Sequence, residues 1–145
     1  MNCYQYPRPA LTVDAVVFRK NKNATEVLLI RRKFPPYRGR WALPGGFVEM
    51  DETLDDAVRR ELKEETGMKD VDLQQLHTFG DPGRDPRGRT VSVIYWGFAG
   101  AQNSAVAGDD AARAEWFDLS ALPELAFDHD RVVEMAVERM ELEVR

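Results

Sequence analysis

The run GFVEMDETLDDAVRRELKEETGM, at residues 46–68, constrains this chain more than any other segment. It sets Gly46, five residues, Glu52, seven residues, and then Arg60-Glu61-Leu62-Lys63-Glu64-Glu65-Thr66-Gly67-Met68. Its middle reads as a helix. Asp51 or Thr53 supplies a short polar oxygen for the orphan N–H groups of a first turn. Asp55 and Asp56 lie in that turn, where negative charge suits the helix dipole. Gly67 closes the helix, because glycine accepts the left-handed conformation just past a C-cap. At about 100° per residue, Leu54, Ala57, Val58 and Leu62 form an apolar stripe. Glu61 and Glu65 fall within that stripe and Glu64 at its edge. Arg59, Lys63, Asp55, Asp56 and Thr66 are expected on the opposite face.

Carboxylates on a packing face call for a cation. The alternative is an ordinary exposed helix rich in glutamate. That alternative leaves like charges at i,i+4, which destabilise a helix by roughly a few tenths of a kcal/mol. It also leaves unpaired carboxylates to be desolvated, at a cost of about several kcal/mol each. A divalent ion with oxygen ligands removes both penalties. Magnesium does so while keeping waters and binding substrate phosphates, and manganese accepts the same ligands. Arg60 can pair with Glu64 one turn on.

The spaced pattern resembles the Nudix box, the signature of the Nudix hydrolases, at every fixed position. The preceding Arg40-Trp41-Ala42-Leu43-Pro44-Gly45 resembles the family's approach to the box. The resemblance implies an α/β fold, an α/β/α sandwich around a mixed β-sheet. It also implies metal-dependent hydrolysis of a nucleoside diphosphate linked to another group. In the family, the carbonyl of the first box glycine helps to bind metal. Gly46, Glu61, Glu64 and Glu65 are therefore the expected ligands of Mg2+ or Mn2+; a simple Gly45-Gly46 turn is the alternative. The family also places an acid outside the box. Asp109 and Asp110 stand roughly there and join Glu64 and Glu65 as expected catalytic carboxylates, against the alternative of an exposed Gly-Asp-Asp turn. Glu115 is a third candidate.

Substrate choice falls to residues outside the box. The segment at residues 80–89, GDPGRDPRGR, is longer than a usual hairpin loop and carries Arg84, Arg87 and Arg89. Arginine's planar fork suits bidentate contact with phosphate. With Arg32 and Arg40 these are the expected substrate-binding arginines; a solvated loop is the competing reading. Pro82, about fifteen residues past the closing glycine of the box, resembles a proline common in the ADP-ribose pyrophosphatase subgroup. The expected reaction is ADP-ribose to AMP and ribose 5-phosphate. Nucleoside triphosphates, nucleotide sugars and dinucleotides are alternative substrates, and a non-catalytic nucleotide sensor is an alternative of another class. An intact box, and no room for a DNA-binding module before Arg145, weigh against the sensor. Phe34, Tyr37 and Trp41 offer stacking surfaces for a base or, equally, packing. His77 and His129 lack metal-ligand spacing and are read as non-catalytic.

The rest of the chain suits a small soluble enzyme, expected as one domain over residues 1–145. Hydrophobic residues make up 43% and charged residues 31%, a balance that argues against disorder. Strands are predicted at residues 11–19, 26–32, 71–79, 90–99 and 113–118, with a short broken strand within 41–49 and a closing helix at 130–142. The single Cys3 excludes an intrachain disulfide and suits a reducing, cytoplasmic setting. No apolar run reaches the roughly 18 residues of a membrane span. A net charge of −5 argues against nucleic-acid binding as a partner. A homodimer is open, with the arm at residues 4–9 as one contact surface.

Overall fold

The computed structural model describes residues 3–100 and 113–143. The order is β1 (Ala10–Asn21), β2 (Ala24–Arg31), β3 (Trp41–Ala42), β4 (Gly45–Phe47), α1 (Leu54–Thr66), β5 (Gln74–Phe79), β6 (Thr90–Phe98), β7 (Arg113–Asp118), a single 3-10 turn (Leu119–Ala121) and α2 (His129–Glu143). β1 pairs antiparallel with β2 and β4 and parallel with β6; β5 joins β6, and β3 and β7 join β2, all antiparallel.

β1 is buried on both faces, as expected of a strand covered by helices on each side. Val13, Ala15 and Val17 point to one layer with Ala57, Val58 and Leu62 of α1. Val16 and Phe18 point to the other, with Val132, Val133, Ala136 and Met140 of α2. The result is the α/β/α sandwich around a mixed sheet that the box implied.

α1 forms where the caps place it. Thr53, rather than Asp51, is the N-cap, accepting from the Asp56 N–H at 3.1 Å. Gly67 takes φ 75° and returns its N–H to the Lys63 carbonyl. One assignment from the helical projection fails. Thr66 is fully buried, not on the solvent face. Its hydroxyl donates to the Leu62 carbonyl at 2.6 Å and accepts from the Met68 N–H at 3.2 Å, so the end of the helix is sealed from within. The strand expected from residue 71 starts at Gln74, because Met68 and Val71 leave the helix and pack beneath it. Among the described residues, no helix is long and apolar enough to cross a membrane.

Candidate functional site

The tandem glycines put the box against the sheet. β4 pairs Gly46 with Val13 and Gly45 with Asp14. A Cβ at Gly45 would drive into the Asp14 carboxylate and the Val13 carbonyl, and one at Gly46 would lie 2.5 Å from Glu61 Oε1. Only glycine lets strand and carboxylates approach so closely. The Gly45 N–H donates to Glu65 Oε1 at 2.7 Å. Glu65 is buried and lines a cleft of about 220 Å³ between β1, β4 and the segment leading into α2.

The other box carboxylates gather on a cation of the chain's own. Arg60 donates to Glu52 Oε1 at 2.6 Å and Oε2 at 2.9 Å, to Glu61 at 2.9 Å and to Glu64 at 3.3 Å. Its second Nη also reaches the Phe47 carbonyl at 3.1 Å. These bonds hold the Arg60 guanidinium well above its ordinary pKa, and the same bonds bring Glu52 down to about 2. Among the described residues no three His, Cys, Asp or Glu side chains already form a metal cage. The donor set still fits a hard divalent ion. Glu61 lies against the Gly46 backbone, and Glu61 and Glu64 share one Arg60 nitrogen, so both carboxylates can face a single charge. All the donors are oxygens, as magnesium and manganese require.

Across the cleft stands a basic wall. Arg84 is almost fully buried; its fork holds Asp128 through bonds of 3.0 and 2.9 Å, and its remaining nitrogen reaches Ser92 Oγ at 2.6 Å. Arg87 is held by Asp85 in the same bidentate way, at 3.1 and 2.8 Å. Arg32 differs. Its Nε donates to the Pro36 carbonyl at 2.6 Å, and no carboxylate among the described residues lies in ion-pair range of it. Burial and the neighbouring Arg87 charge lower its pKa. Among the described residues Arg32 is thus a half-buried guanidinium beside a second one, with Glu65, Asp85 and Asp14 acting on it only at longer range.

Two buried titratable groups close the floor. Asp14 lies inside β1; burial raises its carboxyl to about 7, with Arg84 pulling it down and Asp128 and Glu61 pushing it up. His129 begins α2, and burial lowers its imidazole to about 4. Its Nδ1 accepts from the Leu43 N–H at 3.0 Å, which assigns the ring proton to Nε2, 3.9 Å from Asp14 Oδ2. A neutral imidazole therefore faces Asp14 at neutral pH.

Of the residues expected from sequence, Gly46, Glu65, Arg32, Arg84 and Arg87 line the cleft, with Glu61 behind Gly46. Glu64 is exposed on the Arg60 side. Arg40, Pro82 and Arg89 do not reach the cleft. Arg40 pairs with Glu124 at the surface, Arg89 turns back to the Gly80 carbonyl, and Pro82 is exposed at the loop tip. Asp109 and Asp110 lie outside the described residues; Glu115 pairs with Arg113 at 2.8 Å. Phe34 lines the cleft, while Trp41 packs edge-on against Phe117 and Tyr37 against Phe127. Sequence reading passed over Asp14, Asp85, Asp128 and the position of His129. Asp14 had a signal: one acid inside a β-branched run that is otherwise all core.

The NUDIX domain model matches residues 8–136. The chain is 46% identical over 129 residues to an ADP-ribose pyrophosphatase of Methanocaldococcus jannaschii, covering 88% of this chain and 73% of that one. It is 36% identical over 144 residues to an ADPR-responsive transcriptional repressor of Acinetobacter baylyi, covering 97% of this chain and 58% of the repressor. Its fold is similar to the NUDIX domain of Shewanella oneidensis NrtR complexed with ADP-ribose, with a TM-score of 0.85 and 36% identity over 93% of this chain and 90% of that one. With its box, its sandwich and these matches, the chain belongs to the NUDIX domain family.

Proposed function

We propose that the chain hydrolyses the diphosphate linkage of a nucleoside diphosphate derivative, ADP-ribose first, to AMP and ribose 5-phosphate. The observation that carries this reading is one cleft with a carboxylate-and-glycine wall facing an arginine wall. A diphosphate needs both: positive charge to bind it, and oxygen donors to hold the ion that activates the reaction. Glu61, Glu64, Glu65 and the Gly46 carbonyl would hold magnesium or manganese, which lowers the pKa of bound water and offsets charge on the phosphorus.

The chain's own groups do the rest. Arg32, which has no carboxylate in ion-pair range among the described residues, offers its charge to the diphosphate, and Arg84 and Arg87, held by Asp128 and Asp85, fix the field of that wall. Glu65, fastened to the Gly45 N–H, keeps the box helix in register with the sheet. Neutral His129 adds no charge that would compete for the metal-side carboxylates. Phe34, Phe47 and Phe127 give the same cleft an apolar part of its lining. Glu64, Asp109 and Asp110 remain the proposed acids for aligning the attacking water. We place the protein in the cytoplasm, with a homodimer as its proposed assembly.

A mixed nucleotide panel with magnesium tests the reading. AMP released from ADP-ribose supports it; pyrophosphate released from triphosphates instead would redirect it. The second reading is a nucleotide sensor, which the similarity to an ADPR-responsive transcriptional repressor favours. Tight ADP-ribose binding without cleavage by any metal-loaded sample would establish that reading over the first.

A further inference from the structure

α1 carries the box carboxylates, so its place along its own axis decides where they stand. Apolar burial holds it to the sheet, with Ala57, Val58 and Leu62 packed on Val13, Ala15 and Val17. That force is non-directional and resists lifting the helix more than sliding it. Directional bonds set the axial position. Toward the C-terminal end, Glu65 accepts from the Gly45 N–H and Arg60 donates to the Phe47 carbonyl. The metal reading also engages both groups: Glu65 as a ligand, and Arg60 as the cation that shares Glu61 and Glu64 with the ion.

A further bond lies at the other end of the helix, clear of that chemistry. Tyr95, on β6, is 2% exposed, and its ring shares a layer with Ala57 and Val58. Its hydroxyl donates to Asp55 Oδ1 at 2.6 Å, in the first turn of α1. Gln75, directly opposite Tyr95 on β5, donates its Nε2 to the same hydroxyl at 3.2 Å. Burial and the Asp55 bond both raise the pKa of that hydroxyl, which keeps its proton in place. Asp55 and Gln75 are exposed, so water satisfies either of them without the tyrosine. What the bond adds is a fixed distance between β6 and the start of α1.

We propose that Tyr95, acting through Asp55, is a positioning residue for the box: it fixes α1 along its axis so that Glu61, Glu64 and Glu65 meet a divalent ion in register with the Gly46 carbonyl. This rests on the metal reading above. At about 1.5 Å per residue, Glu61 stands roughly 9 Å and Glu65 roughly 15 Å along the helix from Asp55. A continuous helix of 13 residues passes an axial slip over that span without absorbing it. Ligand distances at a metal tolerate only about 0.2 Å. A slip too small to disturb the core is therefore large enough to spoil the ligand set.

The test is Mn2+ binding without substrate, followed by electron paramagnetic resonance, beside thermal melts. Y95F keeps the ring and removes only the hydroxyl. Its Kd for Mn2+ should rise roughly tenfold, the low end of the loss when a group that orients metal ligands is removed. Its Tm should fall by no more than about 5 °C. D55A should match Y95F, and the double variant should be no worse than either, since all three lose the same bond. D55N removes the charge but keeps Oδ1 as an acceptor, so it should bind Mn2+ within about twofold of the parent. Asp55 is exposed, so the comparison of D55A with D55N stands even if Y95F folds poorly. A Y95F that melts lower yet binds Mn2+ as the parent does assigns Tyr95 to stability alone and overturns the proposal. So does a D55N as weak as D55A, which makes charge the cause, and so do effects that add in the double variant. In those cases the metal reading stands, because the parent still binds. A parent that binds no Mn2+ removes the metal reading and this proposal together.

Discussion

Arg84→Met should be among the most destabilising single changes in the cleft wall. The Arg84 side chain is 6% exposed and that of Asp128 16%, and two charge-assisted bonds join them. Removing the arginine leaves the Asp128 carboxylate uncompensated beside Asp14, a second acid that burial already pushes to about 7. Stranding one partner of a buried ion pair costs about 3–5 kcal/mol. With a urea m-value of about 2 kcal/mol per molar, the midpoint should fall by roughly 2 M. Arg84 is also the largest influence holding the Asp14 carboxyl down, so in R84M that carboxyl should titrate above its parent value, read by carbon NMR. The control is R84M with Asp128→Leu, which removes both charges and should recover at least about half of the loss. A loss of under about 1 kcal/mol in R84M, the range of an exposed pair, would refute the reasoning. So would a double variant no better than the single one.

The remaining expectations are shorter. Glu65→Gln keeps an acceptor for the Gly45 N–H, so its melt should stay near that of the parent while kcat falls by orders of magnitude; near-normal turnover removes Glu65 from the metal set. Gly46→Ala should cut activity more than stability, because the new Cβ meets the flexible end of Glu61 and displaces that carboxylate; unchanged metal dependence in a magnesium titration counts against it. Asp14 and His129 act on stability with opposite signs. Asp14, raised from 3.8, contributes stability that is full below about 3.8 and lost as pH rises through about 7; His129, lowered from 6.5, contributes stability that is full above about 6.5 and lost as pH falls through about 4. Their slopes offset one another between pH 4 and 6.5, so the parent should be nearly flat there. Asp14→Asn should instead gain stability with rising pH, by about 1.4 kcal/mol per unit. Denaturation across that window checks the sign, and a flat Asp14→Asn profile refutes the His129 assignment.

Much of this arrangement was legible in the residues. The α1 caps, its acidic first turn and its apolar stripe follow from local chemistry, and local chemistry is what Thr53 and Gly67 report. The strands around Val13–Phe18 and Val27–Ile30 are apolar enough to be read directly. Thr66 was misplaced because periodicity assigns a face but not the length of the neighbour: the chain folds back at Met68 and covers the last turn. The loop arginines show a different limit. Arg84, Arg87 and Arg89 are equivalent in the sequence, yet one holds Asp128, one holds Asp85 and one turns back on its own loop. Their acids sit elsewhere in the chain or within the turn, and spacing alone does not encode which arginine finds which acid. Arg32 stands apart only once the others are placed, because no carboxylate among the described residues lies in ion-pair range of it.

β1 has neighbours on both sides where the site is built. Thr12, Val13 and Asp14 pair with Phe47, Gly46 and Gly45 on one edge and with Ser92, Val93 and Ile94 on the other, and the Ala15 N–H continues the ladder to the Pro44 carbonyl at 2.9 Å. The glycines that approach the box carboxylates are therefore stitched to the most enclosed strand of the molecule rather than to a loop. Amide protons across Val13, Ala15 and Gly45 should exchange with solvent only when the whole sheet comes apart. Opening the site at Gly45 and Gly46 therefore requires breaking the β1 ladder itself, so a perturbation that loosens β1 should be felt at the box glycines as well.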